Sequence, residues 1–274
     1  MIKINGEEVK IERFYDGTPR IKIDTDYSDA RSVELTWDYE NDSELASLLM
    51  INGHLREHGV ERIFLNMPYL PNARMDRTEN DEEVFTLKYF CNFINSLKFN
   101  GVCIYDAHSR VGTALIDRVI DMTPKNFIIQ TLIKIGAIDE SYQIIDDNFI
   151  LYFPDAGAAK RYSGMFPTIP FAYGDKDRDW KTGKILGTIV RDNGIDLKGK
   201  NILIIDDICS KGGTFYYSAK KLKELGVHTI NLFATHCENI VLEGQILDSG
   251  LIEKLYTVDT IFNKEHPKIE VLPF

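Results

Sequence analysis

Short apolar runs alternate along most of the chain with longer segments in which apolar residues recur at helical spacing. The first pattern is typical of strands buried on both faces of a parallel sheet, and the second of helices that cover such a sheet. This alternation predicts a doubly wound α/β protein. The predicted strands are 61–67, 101–105, 149–153, 201–206, 228–234 and 253–258, and the predicted helices are 81–97, 127–135, 214–225 and 239–248.

The N-terminal segment follows a different pattern. Asn5-Gly6 is a dipeptide that favours a two-residue β-hairpin turn, and it predicts strands at 2–4 and 9–12. Asn41 stands three residues before Glu44, which is the spacing of a reciprocal helix cap. This pair predicts that Asn41 caps the N-terminus of the first helix.

The segment 201–215 contains the clearest chemical signal, because its apolar run ends in two adjacent aspartates and a Gly-Gly-Thr turn that opens the next helix. The glycines allow backbone N–H groups to surround a phosphate at the helix N-terminus. The aspartates can accept hydrogen bonds from the cis hydroxyls of a ribose. The predicted phosphosugar ligands are Asp206, Asp207, Ser210, Lys211, Gly212, Gly213 and Thr214.

Other phosphate-binding patterns do not fit this segment, since it has neither the Walker spacing nor the Gly-x-Gly-x-x-Gly of dinucleotide sites. The alternative is a buried strand followed by an acidic turn with no chemical role. Two adjacent carboxylates at the end of a buried strand are costly unless a ligand binds them, which favours a site. Asp106 and Asp155 also follow apolar runs, at the strand ends where open α/β sheets bind ligands.

Composition narrows the range of partners. The formal net charge of −10, from 42 acidic and 32 basic residues, disfavours binding to nucleic acid or to anionic membranes. No apolar run approaches the ~18 residues of a membrane span, and the N-terminus lacks the apolar core of a secretory signal. The four cysteines show no C-x-x-C spacing, which is typical of reduced thiols. We therefore expect a cytoplasmic protein with small-molecule partners.

Four further segments, in order, resemble motifs of the ribose-phosphate diphosphokinases, also called PRPP (phosphoribosyl diphosphate) synthetases. These are Met67-Pro-Tyr-Leu-Pro-Asn-Ala-Arg-Met-Asp-Arg77, Tyr105-Asp-Ala-His-Ser109, Phe153-Pro-Asp-Ala-Gly-Ala-Ala-Lys-Arg161 and Asp175-Lys-Asp-Arg178. Type I phosphoribosyltransferases share the phosphosugar loop but lack the first two motifs. The resemblance implies two type I phosphoribosyltransferase-like doubly wound domains with mainly parallel sheets. Residues 1–123 would bind ATP, and residues 124–274 would bind the ribose phosphate.

The resemblance also implies a reaction, in which the β,γ-diphosphate of ATP moves to the anomeric hydroxyl of ribose 5-phosphate and AMP is released. The resemblance implies that His108 and Asp155 would hold Mg²⁺, while Lys176 and Arg178 would act with His108 in catalysis. The implied ATP-binding residues are Phe14, Asp16, Arg74, Asp76, Arg77 and His108. Phe14 and Asp16 would reach the adenine of a neighbouring subunit, which implies a homo-oligomer, a dimer or a hexamer, with a shared ATP site.

The loop departs from the family pattern, because Ser210 and Lys211 stand where the synthetases carry Asp and Thr. This change raises a second hypothesis, that the acceptor is ADP-ribose, as in a divergent branch of the family tied to NAD salvage. A phosphoribosyltransferase or an inactive regulatory subunit are further alternatives. The chain keeps Lys176, Arg178 and His108, which argues against the inactive subunit.

Overall fold

The structure is a computed structural model that describes the backbone of residues 1–178 and 185–274, and the side chains of 1–175 and 189–274. The chain divides into two compact units, Met1–Thr123 (unit 1) and Pro124–Phe274 (unit 2). Both units combine helices with mainly parallel sheets, which confirms the predicted α/β class. Among the described residues, no helix has the length and apolar character needed to cross a membrane.

Unit 1 contains a six-stranded sheet and a separate two-stranded hairpin. Its strands are β1 (Ile2–Ile4), β2 (Glu7–Glu8), β3 (Lys10–Arg13), β4 (Pro19–Lys22), β5 (Ser32–Trp37), β6 (Arg62–Asn66), β7 (Gly101–Tyr105) and β8 (Val119–Met122). Its helices are α1 (Glu44–Glu57), α2 (Thr86–Ser96) and α3 (Arg110–Leu115). The sheet order is β2-β1-β5-β6-β7-β8, in which β5 to β8 are parallel and β1 is antiparallel to both of its neighbours.

Within its described residues, unit 2 contains a seven-stranded sheet. Its strands are β9 (Phe149–Phe153), β10 (Phe171–Arg178), β11 (Ile185–Arg191), β12 (Asn201–Cys209), β13 (Thr229–Cys237), β14 (Leu255–Val258) and β15 (Ile269–Leu272). Its helices are α4 (Lys125–Lys134), α5 (Ala156–Tyr162) and α6 (Gly213–Glu224). The order is β11-β10-β9-β12-β13-β14-β15, and every pair is parallel except β10 with β11.

Strand β12 lies at the centre of unit 2 and is buried on both faces. Ile202 and Ile204 point to one face, where they belong to the core cluster that includes Phe215 of α6. Leu203 and Ile205 point to the other face, in the cluster that contains residues of α4 and α5. A strand covered by helices on both sides is what the continuous apolar run predicted.

The N-terminal hairpin forms at the predicted turn but in a different register. Asn5 and Gly6 both have positive φ, 48° and 86°, so Ile4 pairs directly with Glu7. The returning strand is therefore 7–8 and not 9–12, and Lys10–Arg13 pairs instead with Pro19–Lys22.

The predicted cap of α1 was wrong. The helix begins at Glu44, and the Oδ1 atom of Asn41 accepts a hydrogen bond from the Ser43 N–H at 3.1 Å, before the helix starts. The Glu44 carboxylate accepts from the Glu40 N–H and from Nε1 of Trp37, each at 2.9 Å. Glu44 thus joins the helix start to strand β5 instead of closing a capping box with Asn41.

Several other predicted bounds also differ from the structure. Helix α2 begins at Thr86 and not at 81, because the residues from 81 to 84 are exposed and offer no apolar face. The segment 239–248 forms only a short 3₁₀ helix, Asn239–Glu243, which ends at Gly244. Strand β12 continues beyond 206 to Cys209, because β13 extends beside it and pairs Cys237 with Cys209.

Candidate active site

The loop between β12 and α6 presents a helix N-terminus to solvent. Gly212 adopts the left-handed conformation, with φ 75° and ψ 16°, and its carbonyl accepts the Tyr216 N–H at 2.8 Å. Lys211, Gly213 and Thr214 are exposed, and Ser210 is half-buried. The first N–H groups of a helix have no partner within the helix, so this arrangement can bind an anion such as phosphate.

A segment that is distant in sequence packs against this loop. A Cβ atom at Gly212 would lie 2.5 Å from Cγ2 of Ile246, and a Cβ at Gly244 would overlap the carbonyl oxygen of Lys211. Only glycine fits at either position. The backbone path of the loop is therefore fixed partly by Gly244 and Ile246, which the sequence analysis did not identify as site residues.

The two adjacent aspartates lie within β12 and not in the loop after it. Asp207 is buried, Asp206 is half-buried, and the Asp207 N–H donates to Oδ1 of Asp206 at 3.0 Å. Burial, followed by repulsion from Asp207, raises the pKa of Asp206 well above its usual range. A ligand that supplies hydroxyl donors or a cation would reduce this electrostatic cost.

Helix α5 and its N-cap place a cation and a carboxylate near the two aspartates, at the carboxyl end of the sheet. Nη1 of Arg161 lies 3.3 Å from Oδ2 of Asp207, in a pair that is largely buried. Asp155 is the N-cap of α5, where Oδ1 accepts the Ala158 N–H at 3.0 Å, and its charge also raises the pKa of Asp206. The matched segment 153–161 therefore contains a second site residue, Arg161, to which the sequence analysis gave no role.

The proposed magnesium ligands belong to different units, His108 to unit 1 and Asp155 to unit 2. Asp155 offers carboxylate oxygen, the ligand type that Mg²⁺ prefers, at the carboxyl end of β9. Within the described part of the chain, no group of three or more His, Cys, Asp or Glu side chains is arranged to hold a metal. The assignment of Mg²⁺ to His108 and Asp155 stays a prediction.

In unit 1, the ends of β6 and β7 bring together two of the segments that resemble family motifs, 67–77 and 105–109. The Tyr105 N–H donates to the Pro68 carbonyl at 3.1 Å, which joins the segment 67–77 to the end of β7. The Leu70 side chain fills the space over Gly112 of α3, where a Cβ would lie 2.6 Å from Cδ2 of Leu70. These contacts place the arginine-containing turn beside the Asp-Ala-His motif.

The predicted nucleotide-binding side chains of this turn differ in exposure. Arg74 and Arg77 are exposed and Asp76 is half-buried, with Nε of Arg77 3.8 Å from Oδ1 of Asp76. Half-buried His108 lies just before Ser109, whose Oγ caps α3 by accepting the Val111 N–H at 3.3 Å. Exposed arginines are able to contact phosphate groups.

Asp106 gives the His108 turn an unusual backbone. It is buried and has a positive φ of 46°, and its N–H donates to the Met122 carbonyl at 2.9 Å. A non-glycine residue in this region carries backbone strain, which is common where a functional side chain must be aimed. The chain bends at Asp106, two residues before His108.

The remaining predicted residues belong to the β3–β4 hairpin and to β10. Phe14 and Asp16 occupy the exposed turn of the β3–β4 hairpin, where Oδ1 of Asp16 accepts from the Thr18 hydroxyl at 2.6 Å and from its N–H at 2.9 Å. These hydrogen bonds lower the pKa of Asp16. Lys176 and Arg178 lie in β10, and their side chains are outside the described residues.

One contact at the loop was not anticipated from the sequence. The Ser210 hydroxyl donates to Oε2 of Glu238 at 2.7 Å, across 28 positions of sequence. Glu238 directly follows β13, the neighbour of β12 in the sheet. A carboxylate thus borders the loop that is expected to bind a phosphate.

A doubly wound unit with a glycine loop at a helix N-terminus is the arrangement of α/β proteins that bind anionic ligands at the carboxyl ends of their strands. The chain is 30% identical over 233 residues to the ribose-phosphate pyrophosphokinase of Saccharolobus solfataricus, covering 83% of this chain and 76% of the relative. It is 28% identical over 258 residues to that of Thermococcus kodakarensis, covering 93% and 86%. The chain therefore belongs to the ribose-phosphate pyrophosphokinase family, a family of enzymes.

A solved structure supports the same fold. The crystal structure of phosphoribosylpyrophosphate synthetase from Mycobacterium smegmatis matches with a TM-score of 0.77 and 19% identity, covering 97% of this chain and 86% of that chain. No family model matches the chain.

Proposed function

We propose that this enzyme transfers the β,γ-diphosphate of ATP to the C1 hydroxyl of ribose 5-phosphate, which gives PRPP and AMP. The observation that carries the proposal is the loop of unit 2, where the exposed N-terminus of α6 borders the pair Asp206 and Asp207. Membership of the ribose-phosphate pyrophosphokinase family supports the same reaction.

In unit 2, the acceptor phosphate would bind the N–H groups that start α6, from Gly212 to Thr214. The ribose hydroxyls would donate to Asp206 and Asp207, which precede that loop on the same strand. Arg161 would keep the Asp207 carboxylate oriented through their 3.3 Å contact. This arrangement orients the ribose ring, so that its C1 hydroxyl is held for attack on the β-phosphorus while AMP leaves.

In unit 1, the nucleotide would bind Arg74, Asp76, Arg77 and His108. The turn that carries Phe14 and Asp16 would reach the adenine of a neighbouring subunit, so we also propose a homo-oligomer with a shared ATP site. Diphosphate transfer develops charge that is stabilised by cations. Lys176 and Arg178 would supply two of these charges, and His108 and Asp155 would hold Mg²⁺, which neutralises the phosphate oxygens of ATP when bound.

A second acceptor, ADP-ribose, is favoured by two observations at the loop. The Ser210 hydroxyl is engaged by Glu238 at 2.7 Å, and the Lys211 side chain is exposed. A lysine can pair with a diphosphate, and the open loop suits a phosphate that is part of a longer chain. The same transfer would then give ADP-ribose pyrophosphate, a product suited to NAD salvage.

The test is nucleotide product analysis with Mg-ATP, with ribose 5-phosphate, with ADP-ribose and without acceptor. We expect AMP only when an acceptor and Mg²⁺ are both present, and the better acceptor identifies the substrate. Absence of AMP with either acceptor would refute diphosphate transfer. Turnover of PRPP with a nucleobase, without ATP, would instead indicate a phosphoribosyltransferase.

A further inference from the structure

Two cysteines stand opposite one another where β12 and β13 end, beside the phosphate loop. Cys209 is the last residue of β12 and Cys237 is the last residue of β13, and the two are direct partners in the parallel register. Both side chains are buried, and their thiols share a hydrogen bond. Neighbouring strands lie about 4.8 Å apart, within the roughly 4.4–6.8 Å that a disulfide spans between Cα atoms. The pair can therefore be joined without a large movement of the backbone.

The thiol pair also contacts the phosphate loop. Sγ of Cys209 lies 3.7 Å from the carbonyl oxygen of Ser210, and Sγ of Cys237 lies 3.8 Å from that of Glu238. A Cβ atom placed on Gly212 would lie 3.8 Å from Sγ of Cys209, so the start of α6 packs against this sulfur. Because packed interiors transmit small displacements, a change in the position of the sulfur would change the backbone path of the loop.

The surroundings of the pair keep the two thiols adjacent and reduced. The Glu238 N–H donates to the Cys209 carbonyl at 2.8 Å, and the Ser210 hydroxyl donates to Oε2 of Glu238 at 2.7 Å, so the two strand ends are held together. The hydrogen bond with Cys237, followed by burial, raises the pKa of the Cys209 thiol well above its usual range. A buried, protonated thiol reacts slowly, and the pair therefore stays reduced until a small oxidant reaches it.

We propose that Cys209 and Cys237 form a redox-sensitive switch, in which a disulfide between them distorts the phosphate loop and weakens binding of the acceptor phosphate. Hydrogen peroxide represents the class of oxidant that is small enough to enter a buried site. The thiolate of one cysteine attacks the O–O bond and becomes a sulfenic acid, and one water leaves. The second thiol attacks that sulfur, the S–S bond forms and a second water leaves. Two protons and two electrons thus pass from the thiols to the peroxide.

The size of the effect follows from the change in geometry. A disulfide brings the two sulfur atoms to about 2.05 Å, well inside the separation of two thiols that share a hydrogen bond. The start of α6 packs against one of these atoms, so the N–H groups of the loop lose their alignment with a bound phosphate. Loss of one hydrogen bond to a charged group corresponds to about a tenfold lower affinity.

The test treats the whole protein with hydrogen peroxide and locates the disulfide by mass spectrometry of peptides under non-reducing conditions. We expect a cross-link between Cys209 and Cys237 and faster hydrogen–deuterium exchange in peptides that cover residues 210–216. We also expect the dissociation constant for ribose 5-phosphate, measured by calorimetry, to rise at least about tenfold. Dithiothreitol should reverse all three changes.

Variants of single cysteines provide the controls. Cys237→Ala removes one partner, so peroxide should change neither its exchange nor its affinity for ribose 5-phosphate. Cys209→Ala makes the same test from the other strand if Cys237→Ala does not fold. Cys91→Ala removes an equally buried cysteine from α2 of unit 1 and should respond to peroxide as the wild-type protein does.

Absence of the cross-link, or a cross-link that leaves the exchange of the loop unchanged, would overturn the inference. An equal response in Cys237→Ala would also overturn it, because oxidation elsewhere would then be responsible. The effect on the acceptor rests on the proposed function, but the cross-link and the exchange are measured without ATP or acceptor. If both behave as expected and ribose 5-phosphate does not bind the reduced protein, the proposed function fails while the switch stands.

Discussion

The conformation of Gly212 allows a quantitative test of how the phosphate loop is held. The residue has a φ of 75°, and a Cβ placed on it would lie 2.5 Å from Cγ2 and 3.3 Å from Cβ of Ile246, which is fully buried. Gly212→Ala therefore introduces two separate penalties, one from the backbone conformation and one from the contact with Ile246.

The two penalties can be assigned rough magnitudes. An alanine in the left-handed region loses about 1–2 kcal/mol, and the stiffer unfolded chain returns about 0.4–1 kcal/mol. Insertion of a methyl group into a packed site costs a further ~1–3 kcal/mol. We expect Gly212→Ala to lower the free energy of unfolding of unit 2 by about 2–4 kcal/mol.

Gly250→Ala is a matched control in the same unit. Gly250 has a φ of 71°, but a Cβ placed on it would meet nothing within 4 Å, so this variant measures the backbone penalty alone. We expect a loss of about 1 kcal/mol or less. Urea unfolding followed by circular dichroism gives the free energies, and hydrogen–deuterium exchange of peptides from β12 and β13 assigns the loss to unit 2.

Equal losses in the two variants would refute the reasoning, because the contact with Ile246 would then be relieved without cost. A second comparison isolates that contact. Ile246→Leu removes Cγ2, so the double variant with Gly212→Ala should be more stable than the sum of the single changes predicts. Additive losses would mean that Ile246 does not constrain the loop.

Three other predictions concern the charged residues. Asp206→Asn should stabilise unit 2 at pH 8, because the raised pKa of Asp206 means that its ionisation opposes folding. The gain in the free energy of unfolding should disappear as the pH falls towards 4, where the wild-type carboxyl is protonated in the folded state. Urea unfolding at both pH values checks this. Arg161→Met should lower the free energy of unfolding by about 1–3 kcal/mol by leaving Asp207 without this cation, and Arg161→Met with Asp207→Asn should recover part of the loss in the same assay. Lys176→Ala should reduce the rate of AMP formation by orders of magnitude with little change in nucleotide affinity, measured by single-turnover kinetics and calorimetry; equal loss of both would indicate a folding defect.

The central elements of unit 2 were predictable from the sequence because their signals are local. The strand 149–153 and the start of β12 are continuous apolar runs, and α6 follows a glycine pair. Strand β5 was missed although Val33, Leu35 and Trp37 alternate with polar residues, the period of a strand with one buried face. Strands β8, β11 and β15 lie at sheet edges and were also missed; β8 and β15 have only four residues each, too few for their apolar positions to show a clear period.

The contacts that complete the candidate site could not be predicted in the same way. Arg161 meets Asp207 only because α5 packs beside β12, and Ser210 meets Glu238 only because β13 extends as far as β12 does. Neither pair has a spacing that a local pattern would reveal. A carboxylate after a strand, such as Glu238, is indistinguishable in sequence from an ordinary surface acid until the sheet order is known.

The negative charge at the carboxyl end of the sheet in unit 2 opposes the binding of any phosphorylated acceptor. Asp155, Asp206 and Asp207 lie on adjacent strands or just after them, and Glu238 borders the loop, while the protein as a whole is acidic. Backbone N–H groups and Lys211 attract the phosphate locally, and Arg161 pairs with Asp207, but these four carboxylates outnumber the two cations. The acceptor should therefore bind more tightly when Mg²⁺ is present. Its affinity should depend more steeply on Mg²⁺ than on the concentration of a monovalent salt, since a bound divalent ion offsets closely spaced charges more effectively than diffuse screening does.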